Sequence, residues 1–222
     1  MNINATVNNT LSKHDLIIGT VIALVMGTVF TQLSSGMSLI VTFIPGLVFT
    51  WVAYVWLYVK RTSLPSSTQF FPLFFTTLAV QFIHFAEEFT TDFSAKFPLL
   101  YGGVPYSIDL FVTFNMVSYF IFTVSCILVF TKRYKFLLMP VLFYVIYGAI
   151  GNAISHTWWS LYLRSYFPGL VTAQLYWVLG PMVLEKVMGN RRNLITLTVL
   201  FALVLIMLLT IFAIPNALNS LS

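Results

Sequence analysis

Leu194 to Ile214 reads LITLTVLFALVLIMLLTIFAI, a run with no charged residue, no glycine and no proline. At ~1.5 Å of rise per residue such a helix crosses a hydrocarbon core about 30 Å thick. The run is too long and unbroken for a strand, and a transmembrane barrel would alternate polar with apolar residues instead. Inside lipid the backbone hydrogen bonds must close within the segment, which leaves the helix. Working outward, six more runs of the same kind lie at 16–32, 38–59, 68–88, 109–130, 136–156 and 170–188. The expected architecture is an all-α transmembrane bundle of about seven helices, or six if the first two are not both full spans. The first run is longer than a signal-peptide core and is followed by no small-x-small cleavage site, so it reads as a retained helix. No repeat or linker divides the chain, and residues 1–222 read as a single membrane domain.

Composition agrees with this. Of 222 residues, 59% are apolar, 17% aromatic and 8% charged, against about 25% charged in soluble domains. A soluble enzyme, a disordered chain and a disulfide-rich secreted domain are excluded. The formal charge of +5 reflects basic cytoplasmic loops and carries no suggestion of nucleic acid. Alternating the spans puts Lys13, Lys60, Arg61, Lys132, Arg133, Lys135, Lys186, Arg191 and Arg192 on one side, and Lys96 and Arg164 on the other. The expected location is a bacterial plasma membrane, with the N-terminus cytoplasmic and the C-terminus outside. The sequons at Asn4 and Asn8 would then have no meaning. The lone cysteine, Cys126, excludes an intramolecular disulfide and a cysteine-based metal site.

Ionisable residues at membrane depth are costly and point to function. The third run ends in Gln81, His84, Glu87 and Glu88, and at 100° per residue Thr77, Gln81, His84 and Glu88 share one stripe. The fifth ends with Asn152 and His156, four apart on a face continued from Tyr144 and Gly148. Counting from the inner boundary, His84 and Asn152 lie at about 23–24 Å and Glu88 and His156 at about 29–30 Å. The fourth run brings Asn115 and the sixth Gln174 to the same outer layer. Taken singly, each charged group near a helix end is ordinarily solvated, and Gln81, Asn115 and Gln174 ordinarily join helices. The convergence is what points to a site. Glu185 reads as a solvated end charge, and Trp158, Trp159, Tyr162 and Tyr166 as an interfacial belt.

His84-Phe85-Ala86-Glu87-Glu88 fits His-x-x-Glu-Glu, and Asn152 with His156 fits Asn-x-x-x-His. Arg164, Tyr166, Pro168, Gly169 and Thr172 fit Arg-x-Tyr-x-Pro-Gly-x-x-Thr. In this order the three resemble the HXXEE-motif family of bacterial and fungal multi-pass membrane proteins, over about residues 75–190. The resemblance implies a membrane location and a site at His84, Glu87, Glu88, Asn152 and His156, and implies no reaction.

Three functions stay open. One is a metal-dependent membrane enzyme acting on a lipid-soluble substrate. His84, Glu88 and His156 would bind one divalent transition metal, zinc or iron, with Glu87 as the base for metal-bound water. Asn152, Gln81, Asn115, Gln174 and Arg164 would orient ligands or meet the substrate, Arg164 by way of a lipid phosphate. A second is a metal-free acid/base isomerase, similar in design to the emopamil-binding type of sterol isomerase. The third is a carrier or ligand-binding protein, for which the inner half offers only Ser118, Ser125 and Glu185.

Overall fold

The computed structural model describes residues 9–221 and is helical throughout, with no strand among the described residues. The helices are α1 (Lys13–Leu33), α2 (Ser38–Val59), α3 (Ser67–Thr90), α4 (Phe93–Leu100), α5 (Ile108–Lys132), α6 (Lys135–Leu163), α7 (Leu170–Ala173), α8 (Tyr176–Met188) and α9 (Arg191–Phe212). A 3₁₀ segment follows at Pro215–Leu221. Six of these, α1, α2, α3, α5, α6 and α9, are long and apolar enough to cross a membrane. The chain is an integral membrane protein. Side chains such as Leu24, Val25, Phe120, Leu203 and Ile211 stand exposed on the outside of the bundle, where lipid is their natural solvent. The sequons at Asn4 and Asn8 lie outside the described residues.

Helix ends follow local chemistry. Ser12 and Asp15 form a capping box at the start of α1, and the Ser107 hydroxyl accepts from the Leu110 amide at the start of α5. Asp92, Arg133 and Arg164 turn the chain in the left-handed conformation after α3, α5 and α6. The expected span at 170–188 is interrupted. It comprises α7 and α8, joined at Gln174 and Leu175 by tightened i→i+3 bonds such as Leu175 N–H to Thr172 O at 3.1 Å.

The two ends of the bundle are each tied together. At one, the Asn9 amide donates to Leu64 O, Arg133 reaches Asn9, and the Tyr54 hydroxyl donates to Asp15 O at 2.8 Å. At the other, Met37 N–H reaches Tyr101 O at 3.0 Å and Ile214 N–H reaches Leu100 O at 2.8 Å. The described N-terminal and C-terminal stretches therefore sit at opposite ends. The nine basic residues grouped by alternation all flank helix ends of the first kind.

α6 is the axis, with 83% of its most apolar 18-residue stretch buried against at most 56% for the other five long helices. Its middle, Tyr144–Gly151, is a π-helix. Glycine at 148 makes room for a ring of this same helix, since a Cβ there would lie 2.7 Å from Tyr144 Cδ2. The wider turn re-aims the residues that follow, Asn152 and His156. Trp159, expected at the interface, is 1% exposed and donates to the Tyr101 hydroxyl at 2.7 Å. The short α4 folds over this end of the bundle and turns what would be an interfacial position into a core one.

Candidate metal centre

His84 and Glu88 stand one turn apart on α3, and α6 brings His156 to them. Glu88 Oε1 lies 3.4 Å from His84 Nε2 and 3.3 Å from His156 Nε2. One ligand atom from each of the three residues falls within 4.8 Å of the others, and all three residues are buried. The two imidazoles meet edge to face with centroids 4.8 Å apart.

The hydrogen-bond network assigns the protons. His156 Nδ1 lies 2.6 Å from Pro168 O, an atom that can only accept, so Nδ1 carries the hydrogen. His84 Nδ1 lies 2.8 Å from Thr172 Oγ1. The Thr172 hydroxyl spends its one hydrogen on Glu87 Oε2, so it accepts from His84. In their neutral forms both histidines then present a bare Nε2 to a carboxylate oxygen. Neither Nε2 has a hydrogen-bond partner, and both are buried.

Three electron-pair donors converging without a hydrogen between them can hold a cation, whether a proton or a metal ion. A charge-assisted N–H···O bond closes to about 2.7–2.9 Å, shorter than either contact. Ligands held at about 2.0–2.1 Å around a tetrahedral zinc lie about 3.3 Å from one another. The two separations from Glu88, 3.3 and 3.4 Å, match that edge, and the ligand atoms of the two histidines lie within 4.8 Å of each other.

Glu87, read from the sequence as a catalytic base, is otherwise engaged. Oε1 accepts from the Tyr166 hydroxyl at 2.7 Å and the Val171 amide at 3.0 Å. Oε2 accepts from the Thr172 amide at 2.8 Å and from the Thr172 hydroxyl. Four donors fill the lone-pair directions of one carboxylate. Burial, then the Glu87 carboxylate it donates to, holds the Tyr166 phenol above its ordinary range, so that it stays a donor. Glu87 anchors the first turn of α7 and, through Thr172, orients His84.

Residues 164–172 thus supply the outer support of both histidines. Gly169 packs directly on them, at φ +83°, where a Cβ would fall 2.6 Å from His156 Cε1 and 2.9 Å from His84 Cε1. Thr172→Val should keep the shape and remove the acceptor for His84 Nδ1. The expected result is metal bound about 10–100-fold more weakly, read by competition with a chelator in purified protein. Unchanged affinity would leave the Thr172 contact without a role at the centre.

The other expected site residues divide. Glu88 and Asn152 line a cavity walled mainly by aromatic rings, about 920 Å³ of space counted with its open mouth. Gln81 and Asn115 line it too, within a hydrogen-bonded series: Tyr176 to Gln81 at 2.7 Å, Gln81 to Tyr119 at 3.0 Å, Tyr119 to Asn115 at 2.9 Å. Gln174 is exposed and donates to Thr157 Oγ1 at 3.1 Å, away from the cavity. Arg164 is exposed at the end of α6 and meets neither histidine. Sequence reasoning gave the histidines' outer support to Asn152; Thr172 and the Pro168 carbonyl provide it. A backbone carbonyl has no residue signature, so Pro168 had none to offer.

No protein-family model, curated protein or solved structure matches the chain.

Proposed function

We propose that His84, Glu88 and His156 hold one divalent transition metal, and that the protein is a metal-dependent membrane enzyme acting on a lipid-soluble substrate. The observation that carries this is the pair of buried, unpartnered Nε2 atoms facing one carboxylate oxygen at 3.3 and 3.4 Å. Two imidazoles and a carboxylate suit zinc or iron, and three protein ligands leave a position for water or substrate. Of the three ligands, Glu88 alone lines the aromatic cavity, so that position is reached from the cavity side. The bound metal would act as a Lewis acid on a substrate oxygen. Asn152, on the same wall, supplies a neutral hydrogen-bonding group beside it.

The test is elemental analysis of purified protein, before and after reconstitution with zinc, iron and manganese. About one metal per chain is expected, from the one three-ligand group among the described residues. No metal above background after reconstitution would overturn the reading and leave proton transfer by the His–Glu group in its place.

The three segments that resemble the HXXEE-motif family meet at this one centre, through Glu87 with Tyr166, His156 with Pro168, and His84 with Thr172. That convergence supports grouping the chain with those proteins. The basic residues at one end of the bundle support a cytoplasmic N-terminus, with the metal centre in the outer half. Reporter fusions at Arg133 and after Ser222 should report opposite sides, Arg133 the cytoplasmic one. Two fusions reporting the same side would refute the topology.

A further inference from the structure

The cavity beside Glu88 has a chemistry of its own. Its walls carry rings from five helices, among them Phe30, Phe43, Phe97, Phe114, Phe143 and Tyr147. These rings pack on one another, Phe43 against Tyr147 at 4.4 Å and Phe30 against Phe143 at 5.1 Å. Along α5 the lining runs from Leu110, which is exposed, to Phe122, buried in mid-helix. That stretch is about 18 Å of helix rise, the reach of a chain rather than of a compact molecule.

The polar groups in the wall are unequal. Gln81, Tyr119 and Asn115 satisfy one another, and the Asn115 amide closes the series on Phe111 O at 2.9 Å. Asn152 bonds to no other side chain among the described residues, and Glu88 faces only the two histidines. A polar end therefore has two places to go, beside Glu88 and Asn152 or at the buried Tyr144 hydroxyl, which has no partner either; only the first adjoins a residue of the His84–Glu88–His156 group.

Charge narrows the class. No lysine or arginine lines the cavity. Lys96 is turned to Thr91 O at 3.1 Å, and Arg164 is exposed elsewhere. A divalent metal on two neutral imidazoles and one carboxylate carries a net charge of +1. A phosphomonoester or pyrophosphate would bring two or more negative charges into an apolar cavity with at most one positive charge to balance them.

We infer that the cavity takes an uncharged single-chain lipid with one oxygen function at its end, such as a long-chain alcohol, aldehyde or ester. The oxygen sits beside Glu88 and Asn152 and the chain lies among the rings along α5. The inference rests on the metal reading only for the partner of that oxygen; the chain and charge arguments stand on the cavity.

The experiment is photolabelling of the full chain in lipid nanodiscs with a diazirine-bearing long-chain alcohol, adducts being mapped by mass spectrometry. Dodecanol and dodecyl phosphate serve as competitors. Adducts are expected on cavity residues such as Phe114, Phe122 and Tyr147, lost with excess dodecanol and kept with dodecyl phosphate. Ser118→Phe, which fills the cavity, should abolish them while the metal content stays that of wild type. Leu110→Trp, which blocks the cavity from its exposed end, is the second such variant should the first fail to fold. Equal competition by dodecyl phosphate would overturn the charge argument. Adducts confined to outward-facing residues such as Leu24 and Phe120, unchanged in the filled variants, would overturn the cavity argument. Labelling as expected in protein that holds no metal would sink the proposed enzyme and leave this inference standing.

Discussion

His84→Ala and His156→Ala should each leave the protein without bound metal. Either change removes one ligand of three and leaves Glu88 buried with a single partner. Loss of an outer supporting group costs about 10–100-fold in affinity, so loss of a ligand should exceed about 100-fold. Both variants should also unfold at lower temperature than metal-loaded wild type, since binding energy at a buried site is folding energy. Glu88→Gln is expected to part these two effects. It too should be metal-free, but its amide brings two N–H donors to the two bare Nε2 atoms. Glu88→Gln should therefore melt no lower than metal-stripped wild type, whereas the alanine variants melt below it. Affinity in wild type should weaken on acidification, because protons compete with the metal for the same nitrogens. Metal retained at wild-type stoichiometry in both histidine variants would place the ion elsewhere and refute the ligand assignment.

The sequence reveals the helices for a simple reason: lipid forbids every other backbone solution, so an uncharged run like 194–214 has one reading. Its polar residues were informative on the same ground. His84, Glu88 and His156 are costly inside a bundle, and the 3.6-residue period put the first two on one face. Their meeting across α3 and α6 follows from matched depth. Other features depend on groups with no such period. The loop at 164–172 contributes a carbonyl, a glycine's missing side chain and one hydroxyl, and spacing says nothing of where a loop folds back. Glu87 reads as a spare carboxylate in the sequence because all four of its donors come from that loop, two of them backbone amides. Trp159 looked interfacial because α4, eight residues long, is too short to register as a membrane run. A period of 100° per residue does not reveal the π-helix, although Gly148 and Gly151 are the residues against which its tyrosine rings lie.

Gly169→Ala should damage stability and metal binding together. At φ +83° an alanine is strained by about 1–2 kcal/mol. Its Cβ would also stand 2.6 Å from His156 Cε1, inside contact distance of a ring held by Pro168 O and packed on Trp159. Relief requires the backbone at 168–172 to move, and that backbone carries the acceptors of both histidines. With overpacking at about 1–3 kcal/mol, the expected loss of stability is about 2–5 kcal/mol. The accompanying fall in metal affinity should match loss of a supporting group, about 10–100-fold. Gly189→Ala is the matched control. Gly189 also has a positive φ, +63°, but nothing lies within 4 Å of its Cβ position. It should show the conformational cost alone, about 1–2 kcal/mol, with metal affinity unchanged. Thermal unfolding and chelator competition on the two variants, side by side, measure both quantities. If Gly169→Ala binds metal as wild type does, the histidines do not depend on this loop for their position. If Gly189→Ala loses metal equally, the effect belongs to general destabilisation, and the contact between Gly169 and the two imidazoles is packing without function.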